Sequence, residues 1–274
     1  MADLLLVERD AGVLVLTLNR PETLNALVPE LFAALAGQLE AAARDRTIGA
    51  VVLTGAGRGF CSGGDRKRKA EDLARDALLP VDQRVRPQSF EATVDEVRRW
   101  TRAVELLHTM PKPTIAMING ACAGAGLSLA GACDLRFAAE SAVFNSVFAS
   151  VGLAGDFGGS WFWTRILGAA RARELYLMSE KMNAAEARAF GLVNRVFADA
   201  DLRQETMAIA RRLVARAPTV AAYIKDNLNA ALEVSLPRLL DIETRNMILS
   251  GRSWLREEAL AIEPAMPAKD RKTS

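Results

Sequence analysis

Residues 113–133 form a run of 21 residues without one charged side chain. A run of that length belongs in the core of a bilayer or in the core of a protein. Pro113, Asn119 and Ser128 interrupt it. So do glycines at 120, 124, 126 and 131, each of which weakens a helix by about 1 kcal/mol. The run is therefore read as a buried strand over residues 114–118, a glycine turn and a buried helix, with no membrane span. The 274-residue chain is long enough to enclose it, since a domain of this size hides roughly 75% of the surface its unfolded chain exposes.

Around this centre, strands and helices alternate early and helices alone appear late. Strands are expected over 4–8, 13–19 and 50–54, with a helix over 28–45 whose Leu31, Leu35 and Leu39 share a face. Residues 65–86 mix both charge signs without a period and read as a surface loop or short helix. A helix over 91–110 stops at Pro111 and Pro113. Two short strands follow over 135–149, then helices over 158–167 and 169–178. Asn183 and Glu186 make a capping box for a helix that Gly191 closes, and 192–197 is a further strand. Helices are expected over 202–215, 220–232, 236–249 and from about 252. The pattern is that of an α/β core over 1–200 followed by a helical C-terminal segment over 201–274.

Composition excludes more than it assigns. Lys plus Arg is 35 and Asp plus Glu is 33, so at +2 no overall field draws the chain to nucleic acid or an acidic membrane. His108 is the one histidine, which excludes histidine-rich metal sites; no metal is expected. Cys61, Cys122 and Cys133 form no C-x-x-C pair, and an odd set of scattered thiols suits a reducing compartment. The N-terminal residues carry no basic start, long apolar run or cleavage site, so a cytoplasmic location is expected.

The chemistry is to be sought in two strand-then-glycine segments, 51–65 (VVLTGAGRGFCSGGD) and 114–129 (TIAMINGACAGAGLSL). Glycine-dense turns let backbone N–H groups face a ligand without side chains in the way. The dinucleotide fingerprint fails, because Phe60 stands where its third glycine belongs, and no P-loop is present. Ser62 sits in F-C-S-G-G, not in a nucleophile elbow. A Cys61–His108 dyad competes with a buried structural thiol. What remains is an oxyanion hole built from two amides of separate loops, or turns that merely allow tight strand packing. The residues alone leave these two open.

Four segments in order resemble the crotonase superfamily, the enoyl-CoA hydratases and isomerases. They are Asn19-Arg-Pro-Glu-Thr-Leu-Asn-Ala-Leu27, Leu53-Thr-Gly-Ala-Gly-Arg-Gly-Phe-Cys-Ser-Gly-Gly-Asp65, Lys112-Pro-Thr-Ile-Ala-Met-Ile-Asn-Gly120 with Ala123-Gly-Ala-Gly126 and Cys133-Asp-Leu135, and AAEARAFGLVNRV at 184–196. The resemblance implies a spiral of strand–strand–helix turns with terminal helices covering the site or a neighbouring subunit, in a homotrimer or dimer of trimers. It implies an acyl-CoA thioester whose carbonyl oxygen turns enolate-like between the N–H groups of Gly64 and Ala125. Coenzyme A would then be part of the substrate, and no separate cofactor is expected. Leu24, Ala26, Ser62, Asp65, Arg66, Gly124, Ser128 and Phe148 are implied around that substrate. Arg66, Lys67, Arg68 and Lys69 either meet CoA phosphates or form a solvated loop face.

The chain departs from the hydratases of that family at two places. Where they carry the glutamates that activate water, this chain has Ser128 and Phe148, and neither is a carboxylate base. A carboxylate stands instead at Asp156, whose position resembles that of the catalytic aspartate in the family's isomerases and of the nucleophile in related dehalogenases. Leu153, Phe157, Trp161, Phe162 and Trp163 surround it in sequence, so burial should raise its pKa toward a proton-shuttling range. Capping the following helix is the alternative role. Phe60, Phe148, Phe157, Trp161 and Trp163 line an acyl pocket or fill the core. The expected reaction is an isomerisation with Asp156 as shuttle. The alternatives are a hydratase working through Asp156 and an ordered water, or a non-catalytic acyl-CoA binder.

Overall fold

In the computed structural model of the chain, which describes residues 3–65, 71, 74, 75, 78, 89–215 and 218–262, the uncharged run divides as its glycines suggest. Its first part is strand β5 (Thr114–Ile118), buried along its whole length. A tight turn leads to β6 (Ala121–Ala123) and then to helix α4 (Ala125–Ala132), in which every residue is buried. No helix among the described residues is long and apolar enough to cross a membrane.

The turn after β3 and the turn after β5 connect their strands in the same way. β3 (Ala50–Gly55) is followed by β4 (Gly59–Cys61), as β5 is by β6, and as β7 (Leu135–Ala139) is by β8 (Val143–Asn145). The first member of each pair joins a six-stranded sheet and the second joins a four-stranded one. In the larger sheet β3, β5 and β7 are parallel, flanked by the hairpin β1 (Leu5–Asp10) and β2 (Val13–Leu18) on one side and β10 (Arg195–Phe197) on the other. In the smaller, β4, β6 and β8 are parallel, and β9 (Met182–Asn183) closes the edge antiparallel. Each repeat is thus two strands and a helix, wound as a spiral.

Alternation along β2 explains why both faces of the large sheet are covered. Leu14, Leu16 and Leu18 pack into one core with Leu31, Phe32, Leu35 and Leu39 of α1 (Pro29–Arg44). Val13 and Val15 point the other way, onto Leu202, Met207 and Ile209 of α8 (Leu202–Ala215). At roughly 1.5–3 kcal/mol per buried large apolar side chain, this second layer anchors α8 firmly to the strands. The later helices α9 (Pro218–Ala231) and α10 (Leu236–Ile262) lie against each other and leave Ile224, Leu228, Leu240 and Met247 exposed. α9 is tied inward by Lys225, whose Nζ donates to Asp134 Oδ2 at 2.8 Å and to Leu107 C=O at 2.8 Å.

Three expectations need correction. The helix expected over 91–110 is two, α2 (Phe90–Trp100) and α3 (Arg102–Thr109), because Thr101 turns its hydroxyl back onto Arg98 C=O and ends the first. The last two expected helices are one, since Gly251 is a single weak point and helix formers flank it. The strand expected over 192–197 begins only at Arg195, because Leu192 and Val193 are spent on the core. The helices α5 (Gly159–Leu167) and α6 (Ala169–Met178) fall where expected. Before α7 (Ala184–Phe190) the capping box is complete: Asn183 Oδ1 accepts from Glu186 N–H at 2.9 Å and Glu186 Oε2 from Asn183 N–H at 2.8 Å. The loop expected over 65–86, Arg66 and Lys67 to Lys69 included, lies outside the described residues except for Asp65 and isolated positions.

Candidate active site

The first glycine turn is held from behind by the Asn19–Leu27 segment. Leu24 and Asn25 adopt left-handed backbone, φ +54° and +58°, which turns the fully buried Asn25 side chain inward. Its Nδ2 donates to Ala56 C=O at 2.9 Å and Gly59 C=O at 2.7 Å, and its Oδ1 accepts from Arg20 N–H at 2.8 Å. Asn119 grips the same turn from the other side, through Gly55 and Gly57 C=O, both at 2.9 Å. Arg20 then reaches forward, donating to Ala26 C=O at 2.6 Å and pairing with Asp65 Oδ2 at 2.8 Å. Leu24 C=O takes Ser62 N–H at 3.0 Å, and the Ser62 hydroxyl donates to Thr23 C=O at 2.9 Å. So Leu24, Ala26, Ser62 and Asp65, expected around the substrate, are also the fasteners of the turn.

These fasteners fix where Gly64 points. Leu27 pairs with it as in a parallel ladder: Leu27 N–H donates to Gly63 C=O at 2.7 Å, and Leu27 C=O accepts from Asp65 N–H at 3.0 Å. In such a ladder the intervening residue turns its own N–H and C=O the opposite way. Gly64 therefore presents its amide away from Leu27, and a Cβ built there would meet nothing within 4 Å.

The second turn arrives beside the first. Gly124 has φ +53° and ψ −124°, a conformation for glycine, and starts α4 with Ala125 as its first residue. The Ala125 N–H is one of the donors a helix start leaves without an intrahelical partner. A Cβ on Gly63 would lie 3.4 Å from Ala125 N and 3.2 Å from Ala123 C=O. The two segments, about sixty residues apart, approach backbone to backbone at Gly63, Gly124 and Ala125, just beyond the parallel pairing of β4 with β6. The approach is closer still at Gly126, where a Cβ would sit 2.3 Å from Cys61 C=O.

Asp156 is carried by a loop with an unusual backbone. Gly155, Phe157 and Gly158 all have positive φ, at +111°, +49° and +71°. Phe157 anchors it by stacking on Phe32 with centroids 4.6 Å apart. The helix that follows is capped by Gly158 with no side-chain bond, so the capping role weighed for Asp156 is not the one it plays. Its Oδ1 is buried and finds no hydrogen-bond partner among the described residues. Burial pushes the carboxyl up to about 6, and its charge in turn adds to the burial that pushes the Cys61 thiol up to about 12. The Ser128 hydroxyl donates to Asp156 C=O at 3.1 Å. Ser128 and Phe148 are both buried, so at the two places where water-activating glutamates were sought there is a hydroxyl engaged with the loop and a phenyl ring.

The expected site residues among those described thus fall in two connected groups, the paired turns and the Asp156 loop, joined through Ser128 on α4. The Cys61–His108 dyad is not formed. Cys61 is a fully buried thiol, while His108 rests edge-on against Trp161 and Phe162 and has Lys225, Asp134, Glu233 and Arg165 as its charged surroundings. Of the aromatics, Phe60 and Trp163 are fully buried core, whereas Phe157 and Phe148 pack at the Asp156 loop. Sequence reasoning did not single out Arg20, Asn25 or Tyr176. The first two lay inside a quoted motif whose spacing gave no hint of inward-turned backbone.

Residues 8–253 match the enoyl-CoA hydratase/isomerase family. The 1,2-epoxyphenylacetyl-CoA isomerase of Escherichia coli strain K12 is 37% identical over 256 residues, covering 92% of each chain. A probable enoyl-CoA hydratase of Rhodobacter capsulatus is 37% identical over 239 residues, 87% of this chain and 86% of the relative. Among solved structures, an enoyl-CoA hydratase from Polaromonas sp. JS666 superposes with a TM-score of 0.82 at 35% identity, covering 94% of this chain and 95% of that one. The architecture is accordingly the crotonase-like ββα spiral with a helical C-terminal segment that the four motifs implied.

Proposed function

The chain belongs to the enoyl-CoA hydratase/isomerase family, and from that premise we propose that it isomerises an acyl-CoA thioester, with Asp156 carrying the proton. The observation that supports this reading is a carboxylate raised to about 6 by burial, beside two positions, Ser128 and Phe148, that hold no second carboxylate. One base suffices to move a proton between two carbons, whereas the hydratases of this family use two to hold and activate water.

The reading runs as follows. The thioester oxygen sits between the N–H groups of Gly64 and Ala125. The Asp156 carboxylate takes a proton from an acyl carbon, and the C–H electron pair moves onto the thioester oxygen as an enolate. The two amides stabilise that charge in a dry site, where removing one such donor typically costs about 10²–10³ in rate. The proton returns to a different carbon, the carboxylate is restored and nothing is gained or lost, so a double bond shifts; in a substrate with a strained C–O ring beside the enolate, the enolate electrons break the C–O bond instead and the proton goes to the released oxygen. The Phe148 ring keeps water from competing for the intermediate.

The substrate carries its own coenzyme A, and no further cofactor enters. The exposed apolar residues of α9 and α10 support assembly into a trimer or dimer of trimers, with these helices as contact and cover. Three buried, unpaired cysteines support a reducing, cytoplasmic setting.

The test is a panel of CoA thioesters incubated with the wild type and with Asp156→Asn. The expected result is a product of unchanged mass from the wild type and none from the variant, with CoA-ester affinity retained. A gain of one water would identify a hydratase. Tight binding without turnover across the panel would identify a non-catalytic binder.

A further inference from the structure

Tyr176 lies on α6, outside every motif read from the sequence and 20 residues beyond Asp156. One face of its ring stacks on Phe148, with centroids 5.6 Å apart and planes 14° from parallel. The other contacts are with the Asp156 loop. A Cβ built on Gly155 would come 3.1 Å from Tyr176 Cε1, and one built on Gly159 would come 2.1 Å from the Tyr176 hydroxyl oxygen. Those two glycines bracket Asp156, one residue before it and three after. The ring edge fills the space a side chain at Gly155 would need, and the hydroxyl, with that of Ser128, fills the space at Gly159.

The loop requires such a support. Phe157 is a non-glycine residue in left-handed backbone, which costs about 1–2 kcal/mol and persists only where the surroundings impose it. Phe157 is held from above by Phe32. From below the loop meets Tyr176 and Ser128, whose Oγ would lie 2.4 Å from the same Gly159 Cβ. Burial, with the Asp156 charge adding to it, pushes the Tyr176 phenol up to about 12, so it remains neutral wherever the enzyme works.

Building on the reading of Asp156 as proton shuttle, we propose that Tyr176 is a positioning residue, its ring forming the floor on which the 153–158 loop is laid and the Asp156 carboxyl aimed and kept from water. A side chain that merely filled core space would affect stability alone. A floor also governs the carboxyl's setting.

The experiment compares the wild type with Tyr176→Leu and Tyr176→Phe, with Asp156→Asn alongside. Tyr176→Leu is expected to lower kcat by about 10²-fold, the usual consequence of misplacing a catalytic group by about 1 Å, with KM little changed. The acid limb of its kcat profile moves to lower pH as water reaches Asp156. Tyr176→Phe, which keeps the ring, restores most of the lost kcat and returns the limb. Titration of the ¹³C-labelled Asp156 carboxyl follows the same shift without turnover. A Leu variant with the wild-type kcat and limb overturns the proposal, and so does a Phe variant as impaired as Leu. If Asp156→Asn still turns over, the shuttle reading itself falls; if it is inactive while Leu behaves as wild type, the positioning role alone falls. Should Tyr176→Leu not fold, Tyr176→Met, closer to the ring in length, takes its place. A smaller shift in the same direction supports the floor, and an unmoved limb overturns it.

Discussion

Replacing Asp156 by Asn should strengthen the fold while removing the chemistry. Folding carries this carboxyl from water to a half-buried place where its Oδ1 has no partner among the described residues, and its pKa rises from 3.8 to about 6. A shift of about two units corresponds to about 3 kcal/mol if wholly felt, and solvent screening at a partly open site reduces that to about 1–2 kcal/mol. Below pH 4 the folded and unfolded chains both hold the proton and the penalty vanishes. Between pH 4 and 6 the unfolded chain releases it first, so the folded chain binds more protons and stability falls as pH rises. Above 6 the full penalty stands. Asn carries no charge and escapes it. Thermal unfolding of both proteins at equal concentration should therefore show the variant higher by roughly 2–8 °C at pH 8, with the gap mostly closed at pH 4. A variant no more stable than the wild type at pH 8 would refute the reasoning, because the carboxyl would then not be strained by burial.

Three further outcomes are expected. The acid limb of kcat/KM should break near pH 6, activity falling about tenfold per unit below it as the base is protonated; a break near 4 in a pH–rate series would show Asp156 to be an ordinary exposed carboxylate. Ala125→Pro removes the amide at the first helical position, where proline is well tolerated, and should cost about 10²–10³ in kcat with the fold intact by circular dichroism. Arg20→Met removes the ion pair to Asp65 and the bond to Ala26 C=O and should cost about 2 kcal/mol in urea unfolding; Arg20→Lys should not recover it, lacking the fork that serves Ala26 and Asp65 together.

Periodicity made most elements legible, because Leu31, Leu35 and Leu39 or the box at Asn183 and Glu186 act locally. The break at Thr101 was hidden, since one hydroxyl folding back on Arg98 leaves no trace in the hydrophobic pattern. The glycine turns declared themselves as ligand-facing backbone or tight packing, and the structure shows the tight packing, Gly63 against Ala125 and Gly126 against Cys61. What brings Gly63 to Ala125 is the pairing of β4 with β6, a long-range fact that three-residue strands cannot advertise. The burial of Asp156 was readable from its aromatic neighbours. Tyr176 was not, because one aromatic residue in a helix looks like any other core side chain until its contacts are known.

The contact between Gly126 and Cys61 has a consequence for descent. The carbonyl of Cys61 occupies the place of a missing Cβ, so the amide beside it is locked into the same atoms that hold two strands together. Any side chain at position 126 would push that carbonyl, so a replacement there disturbs both segments at once. The Asp156 segment is different, with Gly152, Leu153 and Ala154 open to solvent at its approach. New reactions in descendants of this chain should therefore arise there, while the paired glycine turns are inherited unchanged.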